Sequence, residues 1–393
     1  MELRGLRDFG LTEDQKMVRQ MAIDFGEKEI LPVIEQYEEE GRYPKDIVNK
    51  LGELGFLGPF VPPEYGGAGM DWLSYGIICE TIAYYDWVCA SAISVQMSLV
   101  GSGILRFGTE EQKQEFLVPL ASGKKQASGA LTEPNAGTDL ASLTTKAVRD
   151  GDDYILNGNK TYISHATHAD ILLTMATTDP ALRHKGICAF LVDNPSPGIS
   201  TSKLPIWGMT RGDTCDVAYE NVRVPAKNML LGENQGWKVL MANLDTGRYS
   251  VASRCMGQSQ SLVDAAIAYA NQRETFGTLI RDYQMVKAMI ADMIVNTEAA
   301  RLLCYRVGRL KDAGEERTGF EAAQAKLFSC DTAVQSALDC IQVHGGVGAT
   351  KDYPFGHKLL EAKVLQIGEG TQQIQRRMIA DYALGLMRPK KAV

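Results

Sequence analysis

Nothing in the 393 residues forms a C-x-x-C pair, a Walker sequence, or a G-x-G-x-x-G set between a strand and a helix. The missing glycine fingerprints leave a classical nucleotide-binding fold without support. The eight cysteines (Cys79, Cys89, Cys188, Cys215, Cys255, Cys304, Cys330 and Cys340) are scattered. That spacing excludes a disulfide framework and suits buried or free thiols in a reducing cytoplasm. Histidine is scarce, at 5 residues. Only His165 and His168 lie close together, and no cysteine or carboxylate cluster joins them, so no metal site is expected. Positive charge is in deficit: the net charge is −7 and the pI about 5.4, which argues against nucleic acid as a partner. The basic stretch Arg388-Pro389-Lys390-Lys391 is short and is expected to fray. The opening Met1-Glu2-Leu3-Arg4 lacks the basic-then-apolar pattern of a signal peptide. One uncharged run, Trp87 to Leu105, is long enough to span a bilayer. It carries Ser91, Ser94, Gln96, Ser98 and Ser102, so a buried helix with polar groups facing a ligand fits better than a membrane span.

What is present is ordinary globular material, 45% apolar and 23% charged, in a chain long enough for two or three domains. The pattern predicts a multidomain α+β protein with boundaries at 1–125, 126–232 and 233–393. In the first unit Thr12 and Gln15 form a capping box before an amphipathic run to about Tyr37. The loop Val61-Pro62-Pro63-Glu64-Tyr65-Gly66-Gly67 separates this run from helical patterns at Leu73–Tyr85, Ala92–Phe107 and Thr109–Leu120. The second unit holds short β-prone runs, Tyr154-Ile155-Leu156, Ile171-Leu172-Leu173, Ile187 to Val192 and Val217-Ala218-Tyr219. Asn157-Gly158 gives a hairpin signal, and an antiparallel β domain is expected. The third returns to helical periods at 237–273, 283–313, 317–344 and 371–387, which suggests a four-helix bundle.

Five motifs can carry chemistry. In Gly368-Glu369-Gly370-Thr371 a carboxylate sits between two glycines at a helix start, well placed for a base in a closed pocket. Leu131-Thr132-Glu133-Pro134 opens the β unit and is either a turn or an edge that hydrogen-bonds a heterocycle. In Lys160-Thr161-Tyr162-Ile163-Ser164 an aromatic and a hydroxyl share one strand face, which fits a ligand or the core. Arg273-Glu274-Thr275-Phe276-Gly277 offers a guanidinium for phosphate or for solvent. His344-Gly345-Gly346-Val347-Gly348 follows a helix as a C-cap does.

Together, from Leu11-Thr12-Glu13-Asp14-Gln15 to Gln373-Ile374-Gln375-Arg376, these motifs resemble the acyl-CoA dehydrogenase family in order and spacing, in particular its short- and branched-chain and glutaryl-CoA members. The resemblance implies a helical, β, then four-helix-bundle fold that binds FAD, forms a homotetramer, oxidises an acyl-CoA and passes electrons to an electron-transfer flavoprotein. It implies that Glu369 is the base for the α-proton while hydride leaves the β-carbon. Leu131, Thr132, Gly137 and Thr138 match the segment lining flavin and substrate, and Tyr162 and Ser164 the pair at the isoalloxazine, where the family often has Trp. Arg273, Thr275, Phe276, Gln342, Gly345 and Gly346 match groups that reach a neighbouring subunit's FAD, and Thr371 and Gln373 match further FAD contacts. Ser94, Asp245, Arg248 and Gly370 match substrate positions. Some relatives place the base near residue 247, which is Gly247 here. Glutaryl-CoA members hold the distal carboxylate with a Glu and an Arg, where this chain has Ala83 and Ala90. That departure favours a neutral short, branched or alicyclic acyl group. Asp86 is a candidate for an unusual second proton transfer, and Leu360-Glu361-Ala362 departs from the common Arg-Asp-Ala. A glutaryl-CoA-type dicarboxylyl-CoA dehydrogenase, an enoyl-CoA reductase, a nitroalkane-oxidising enzyme and a non-catalytic nucleic-acid-associated protein of the same fold are the rival readings.

Overall fold

The computed structural model describes residues 10–315 and 317–386. The segments Met1-Glu2-Leu3-Arg4 and Arg388-Pro389-Lys390-Lys391 lie outside the described residues. Helix α1 (Glu13–Phe25) starts at the expected capping box: Thr12 Oγ1 accepts from Gln15 N at 3.2 Å while Gln15 Oε1 accepts from Thr12 N at 3.1 Å. It runs through a π-turn to Ile30 and breaks before α2 (Ile34–Glu40) and α3 (Lys45–Glu53). Helices α4 (Trp72–Tyr85) and α5 (Trp87–Phe107) meet at Asp86, whose extended backbone ends one helix and caps the next through Cys89 N at 2.8 Å. α5 is the long apolar run, and 83% of its most apolar stretch is buried inside the protein, as in a core helix. A short helix, α6, over residues 110–121 follows.

The β unit has strands β1 (Ala127–Ala130), β2 (Lys146–Asp150), β3 (Asp153–Ser164), β4 (Ile171–Thr177), β5 (Ile187–Asp193), β6 (Ile199–Lys203), β7 (Thr214–Pro225) and β8 (Met229–Leu230). They form one sheet in the order β6-β7-β3-β2-β4-β5-β8, antiparallel except where β1 and the first residue of β2 pair β4 in parallel. The expected hairpin at Asn157-Gly158 is not there. Those residues lie inside the 12-residue β3, at a register shift against β7, and the real turn is Gly151-Asp152 between β2 and β3. A bulge, like a turn, wants a residue that tolerates unusual dihedrals, so Asn-Gly alone could not tell them apart. β4 and β5 are buried on both faces. Ile171, Leu173, Met175, Ile187, Ala189 and Leu191 join the core shared with α4 and α5, and Leu172, Ala176, Cys188, Phe190 and Val192 fill the β unit's own core.

The third unit is built on α7 (Gly236–Ala270), 35 residues long, with α8 (Gln284–Asp312), α9 (Gly319–His344) and α10 (Phe355–Ile367) packed around it, and α11 (Gln372–Ala383) laid against α9. A two-stranded hairpin, β9 (Glu274–Thr275) and β10 (Thr278–Leu279), joins α7 to α8. α10 is the helix the sequence pattern did not give: the 371–387 period is α11, and α10 supplies the turn that follows it. α7 also packs on α4, so it buries residues on all sides and shows no amphipathic stripe.

Candidate active site

Between α10 and α11 the chain turns through Gly368, Glu369 and Gly370. Glu369 has φ 55 and Gly370 φ 88, and Thr371 caps α11 by accepting from Ile374 N at 3.3 Å. A left-handed Glu costs ~1–2 kcal/mol, so the turn needs outside support. Lys326 on α9, fully buried, supplies it: its Nζ donates to Gly370 O at 2.8 Å, Gln372 Oε1 at 3.0 Å and Gln366 O at 3.4 Å. Gln375 Nε2 donates to Glu369 O at 3.1 Å and Gly370 O at 2.9 Å. The turn thus aims the Glu369 carboxyl at α7, where it rests on Gly247; a Cβ there would stand 2.6 Å from Oε2. Only glycine leaves room for the carboxyl at this point. Oε2 is buried with no hydrogen-bond partner. Burial pushes the Glu369 pKa up to about 7, against the opposing pull of Arg248, Lys326 and Arg254. Arg248 is itself tied to Asp245 Oδ1 at 2.7 Å. Ser94 lies across from this stretch of α7, 2.7 Å from Ser250 Oγ.

A second wall comes from the β unit. Tyr162 has φ 60, sits at a β3 register shift and leaves its ring 66% exposed, with Ser164 beside it on the same strand face. Behind them, Leu131 and Thr132 are bound to β3: Lys160 Nζ donates to Leu131 O at 3.1 Å, and Thr161 N to Thr132 O at 2.9 Å. Glu133 completes the tie by accepting from Lys160 Nζ at 2.8 Å, Thr144 N at 2.6 Å and Thr145 N at 2.9 Å. These bonds and the lysine charge hold Glu133 at about 2 despite burial, while burial draws Lys160 down to about 8. The pair is therefore ionised between those values. This wall suits a flat heterocycle: an open aromatic face, a neighbouring hydroxyl and a rigid segment of backbone. Gly137 and Thr138 lie exposed on the loop beyond it.

Not all the expected residues converge. Arg273, Thr275 and Phe276 lie on the hairpin after α7, where Phe276 is 96% exposed. Gln342, Gly345 and Gly346 end α9, and a Cβ at either glycine would meet nothing within 4 Å. These two groups are joined to each other by Tyr269 stacked on His344 at 4.2 Å. Tyr269 is ~33 Å along α7 from Gly247 at 1.5 Å per residue, so they belong to a separate surface of the chain. Gln373 is exposed on α11. Asp86 is not free for a proton transfer: besides capping α5 it is paired with Arg211 Nη2 at 2.5 Å, which with its hydrogen bonds holds its carboxyl below the usual range despite burial. Glu361 is buried, accepts from Gln258 Nε2 at 3.3 Å, and is pushed by burial up to about 8. His165 Nε2 bonds Ser91 Oγ and His168 Nε2 bonds Asp213 Oδ2. A cleft of about 1340 Å³ lies apart from Glu369, lined by residues that include Ala83, Asp86, Trp87, Arg211, Gln258 and Glu361. Lys160, Lys326 and Gln375 are the positioning residues the sequence did not single out, because nothing local marks a lysine as buried.

The chain belongs to the acyl-CoA dehydrogenase family. The family's N-terminal domain matches residues 12–124, its middle domain 128–222 and its C-terminal domain 234–384. A probable acyl-CoA dehydrogenase of Bacillus subtilis, YngJ, is 40% identical over 96% of this chain and 100% of its own length. The CarC subunit of the caffeyl-CoA reductase-Etf complex of Acetobacterium woodii is 39% identical over 95% of this chain and 99% of its own. Among solved structures, butyryl-CoA dehydrogenase of Megasphaera elsdenii superposes with a TM-score of 0.93 at 36% identity, covering 96% of this chain and 100% of that one. A glutaryl-CoA dehydrogenase in complex with glutaryl-CoA gives 0.94 at 34%, covering 97% of each. A glutaryl-CoA dehydrogenase of Mycobacterium smegmatis in complex with FADH2 gives 0.90 at 30%, covering 95% of each.

Proposed function

We propose that this oxidoreductase removes the α-proton of an acyl-CoA thioester with Glu369 as the base. The observation that carries the proposal is the Glu369 carboxyl itself, aimed onto Gly247 by a strained turn, unpartnered at Oε2, and raised to about 7. A carboxylate of that basicity can accept a proton near neutral pH, which an ordinary exposed glutamate does poorly. FAD is the cofactor, and when bound it supplies the hydride acceptor for the β-carbon. Leu131, Thr132, Gly137, Thr138, Tyr162 and Ser164 would hold it on the β wall, with Thr371 and Gln373 at the far side. Arg273, Thr275, Phe276, Gln342, Gly345 and Gly346 stand too far along the bundle to share that site, and are assigned to the FAD of a neighbouring subunit in a homotetramer. The Glu369 N–H is assigned to the thioester carbonyl, where negative charge builds as the proton leaves. Ser94, Asp245, Arg248 and Gly370 are assigned to the substrate. Ala83 on α4 and Ala90 on α5 put no charge at those two positions for a second carboxylate, which taken alone favours a neutral acyl group.

An electron-transfer flavoprotein is the proposed acceptor, supported by the CarC relative of an Etf complex. That same relative supports a second reading, reduction of an enoyl-CoA. All eight cysteines are buried and free, which supports a cytoplasmic location. The test is anaerobic mixing of the purified flavoprotein with a panel of saturated acyl-CoA thioesters. Bleaching near 450 nm by at least one of them is expected, and a flavoprotein that none of them reduces would overturn the dehydrogenase reading.

A further inference from the structure

Arg254 is a buried cation that none of the roles above uses. It lies on α7 at 3% exposure, its Nη1 donates to Ser94 Oγ at 3.4 Å, and its guanidinium stacks 4.4 Å from the centroid of the Trp87 ring. Its Nε and Nη2 are buried with no hydrogen-bond partner, and so is Trp87 Nε1. All three atoms can only donate. A cluster of buried donors lacking acceptors is costly, and a buried charge without a counter-charge more so. Glu369 feels the charge of Arg254 but makes no hydrogen bond or ion pair with it, and the other neighbouring carboxylates are engaged elsewhere. Asp86 is paired with Arg211 and Glu80 with Arg301, while Glu361 is bonded to Gln258.

The position of the cluster says what kind of acceptor it wants. Residues 247, 250 and 254 lie along one stripe of α7. Ser94 and Ser98 meet Ser250 at 2.7 and 2.8 Å, and Ser250 Oγ donates to Gly247 O at 3.0 Å, so a line of hydroxyls joins Arg254 to the place where Glu369 rests. Gly247 and Arg254 are ~10 Å apart along the helix, the scale of an acyl chain of a few carbons plus the reach of an arginine. Nε–H and Nη2–H form the side of a guanidinium that grips both oxygens of a carboxylate with parallel bonds. Trp87 fixes the plane of the guanidinium and adds an indole donor.

Resting on the dehydrogenase reading above, we propose that Arg254 is a specificity-determining residue that holds a second carboxylate at the far end of the acyl chain. The substrate is then a dicarboxylic acid monothioester. The preference for a neutral acyl group, argued from Ala83 and Ala90, is revised: the cation absent at those two positions is supplied by Arg254 on α7.

The test uses the holoenzyme and reads anaerobic flavin bleaching with glutaryl-, adipyl- and pimelyl-CoA, the monomethyl ester of each, and butyryl- and hexanoyl-CoA. At least one free acid is expected to exceed its own ester about a hundredfold in the second-order rate constant of flavin reduction, the scale for a buried charge pair that loses one partner. Arg254→Met should abolish that preference and Arg254→Lys, which keeps charge without the fork, should restore part of it. Equal bleaching by acid and ester, or a preference that survives in Arg254→Met, overturns the proposal and leaves the dehydrogenase reading standing. Bleaching by none of the thioesters overturns both. Should Arg254→Met fail to fold, the acid-to-ester ratio of the wild type decides alone.

Discussion

The two walls of the site each rest on a fully buried lysine, yet the lysines are used in opposite ways. Lys160 in the β unit is paired with a carboxylate, Glu133, and the two together pin the Leu131-Thr132 segment to β3. Lys326 in the bundle donates to two backbone carbonyls and an amide oxygen around Glu369 and leaves the carboxylate itself unbonded. The first arrangement fixes geometry and removes basicity, since Glu133 is held at about 2. The second fixes the backbone and spares the side chain, so Glu369 stays at about 7. A wall that only binds can use an ion pair, whereas a wall that must accept a proton cannot.

The contrast can be broken at either wall. The largest effect is expected from Lys160→Met, which leaves Glu133 buried and unpaired and should cost about 3–5 kcal/mol, with weakened FAD retention, measured by chemical denaturation and flavin content. Adding Glu133→Gln to Lys160→Met should recover most of that loss, because a removed pair costs far less than a broken one. Next is Gly247→Ala, whose methyl would stand 2.6 Å from Glu369 Oε2. Displacing the base by about 1 Å should cut the rate of flavin reduction about a hundredfold, with FAD content unchanged. Lys326→Met should lower the same rate by about tenfold or more, and no second substitution is expected to rescue it, since among the described residues Lys326 has no ion-paired carboxylate to remove. The smallest effect is in the wild type's pH profile. Glu369 must be ionised to act, so the rate should fall about tenfold per pH unit as the pH drops below about 7. The sign reverses for stability. A carboxyl raised in the folded state stabilises most below its unfolded pKa, and that contribution is lost as the pH rises through about 7. A rate that stays flat from pH 5 to 8 in stopped-flow bleaching would remove Glu369 from the proton step.

The fold was legible where local chemistry is self-contained. The Thr12–Gln15 capping box, the apolar runs of β4 and β5, and the long helical periods of α7, α8 and α9 all appear where the pattern puts them. Asn157-Gly158 failed because its dihedral needs serve a bulge as well as a turn. α10 escaped because one of its buried side chains is a carboxylate, Glu361, which interrupts the apolar stripe that marks a core-facing helix. Glu369 could be read from its glycines, but its supports could not. Lys326 is 43 residues away in sequence and Lys160 is indistinguishable from a surface lysine until β3 turns it inward. Arg254 looks like any arginine in a helix, and only the structure shows that Trp87 and Ser94 close over it.

The central claim is that Glu369 takes the α-proton, and Glu369→Gln tests it most directly. The measurement is single-turnover flavin bleaching on anaerobic mixing with the best acyl-CoA of the panel, beside the titrated affinity of the oxidised enzyme for the same thioester. The account predicts that the variant keeps FAD and binds the thioester while its bleaching rate falls by about 10²–10⁴. A variant that bleaches at the wild-type rate would contradict it.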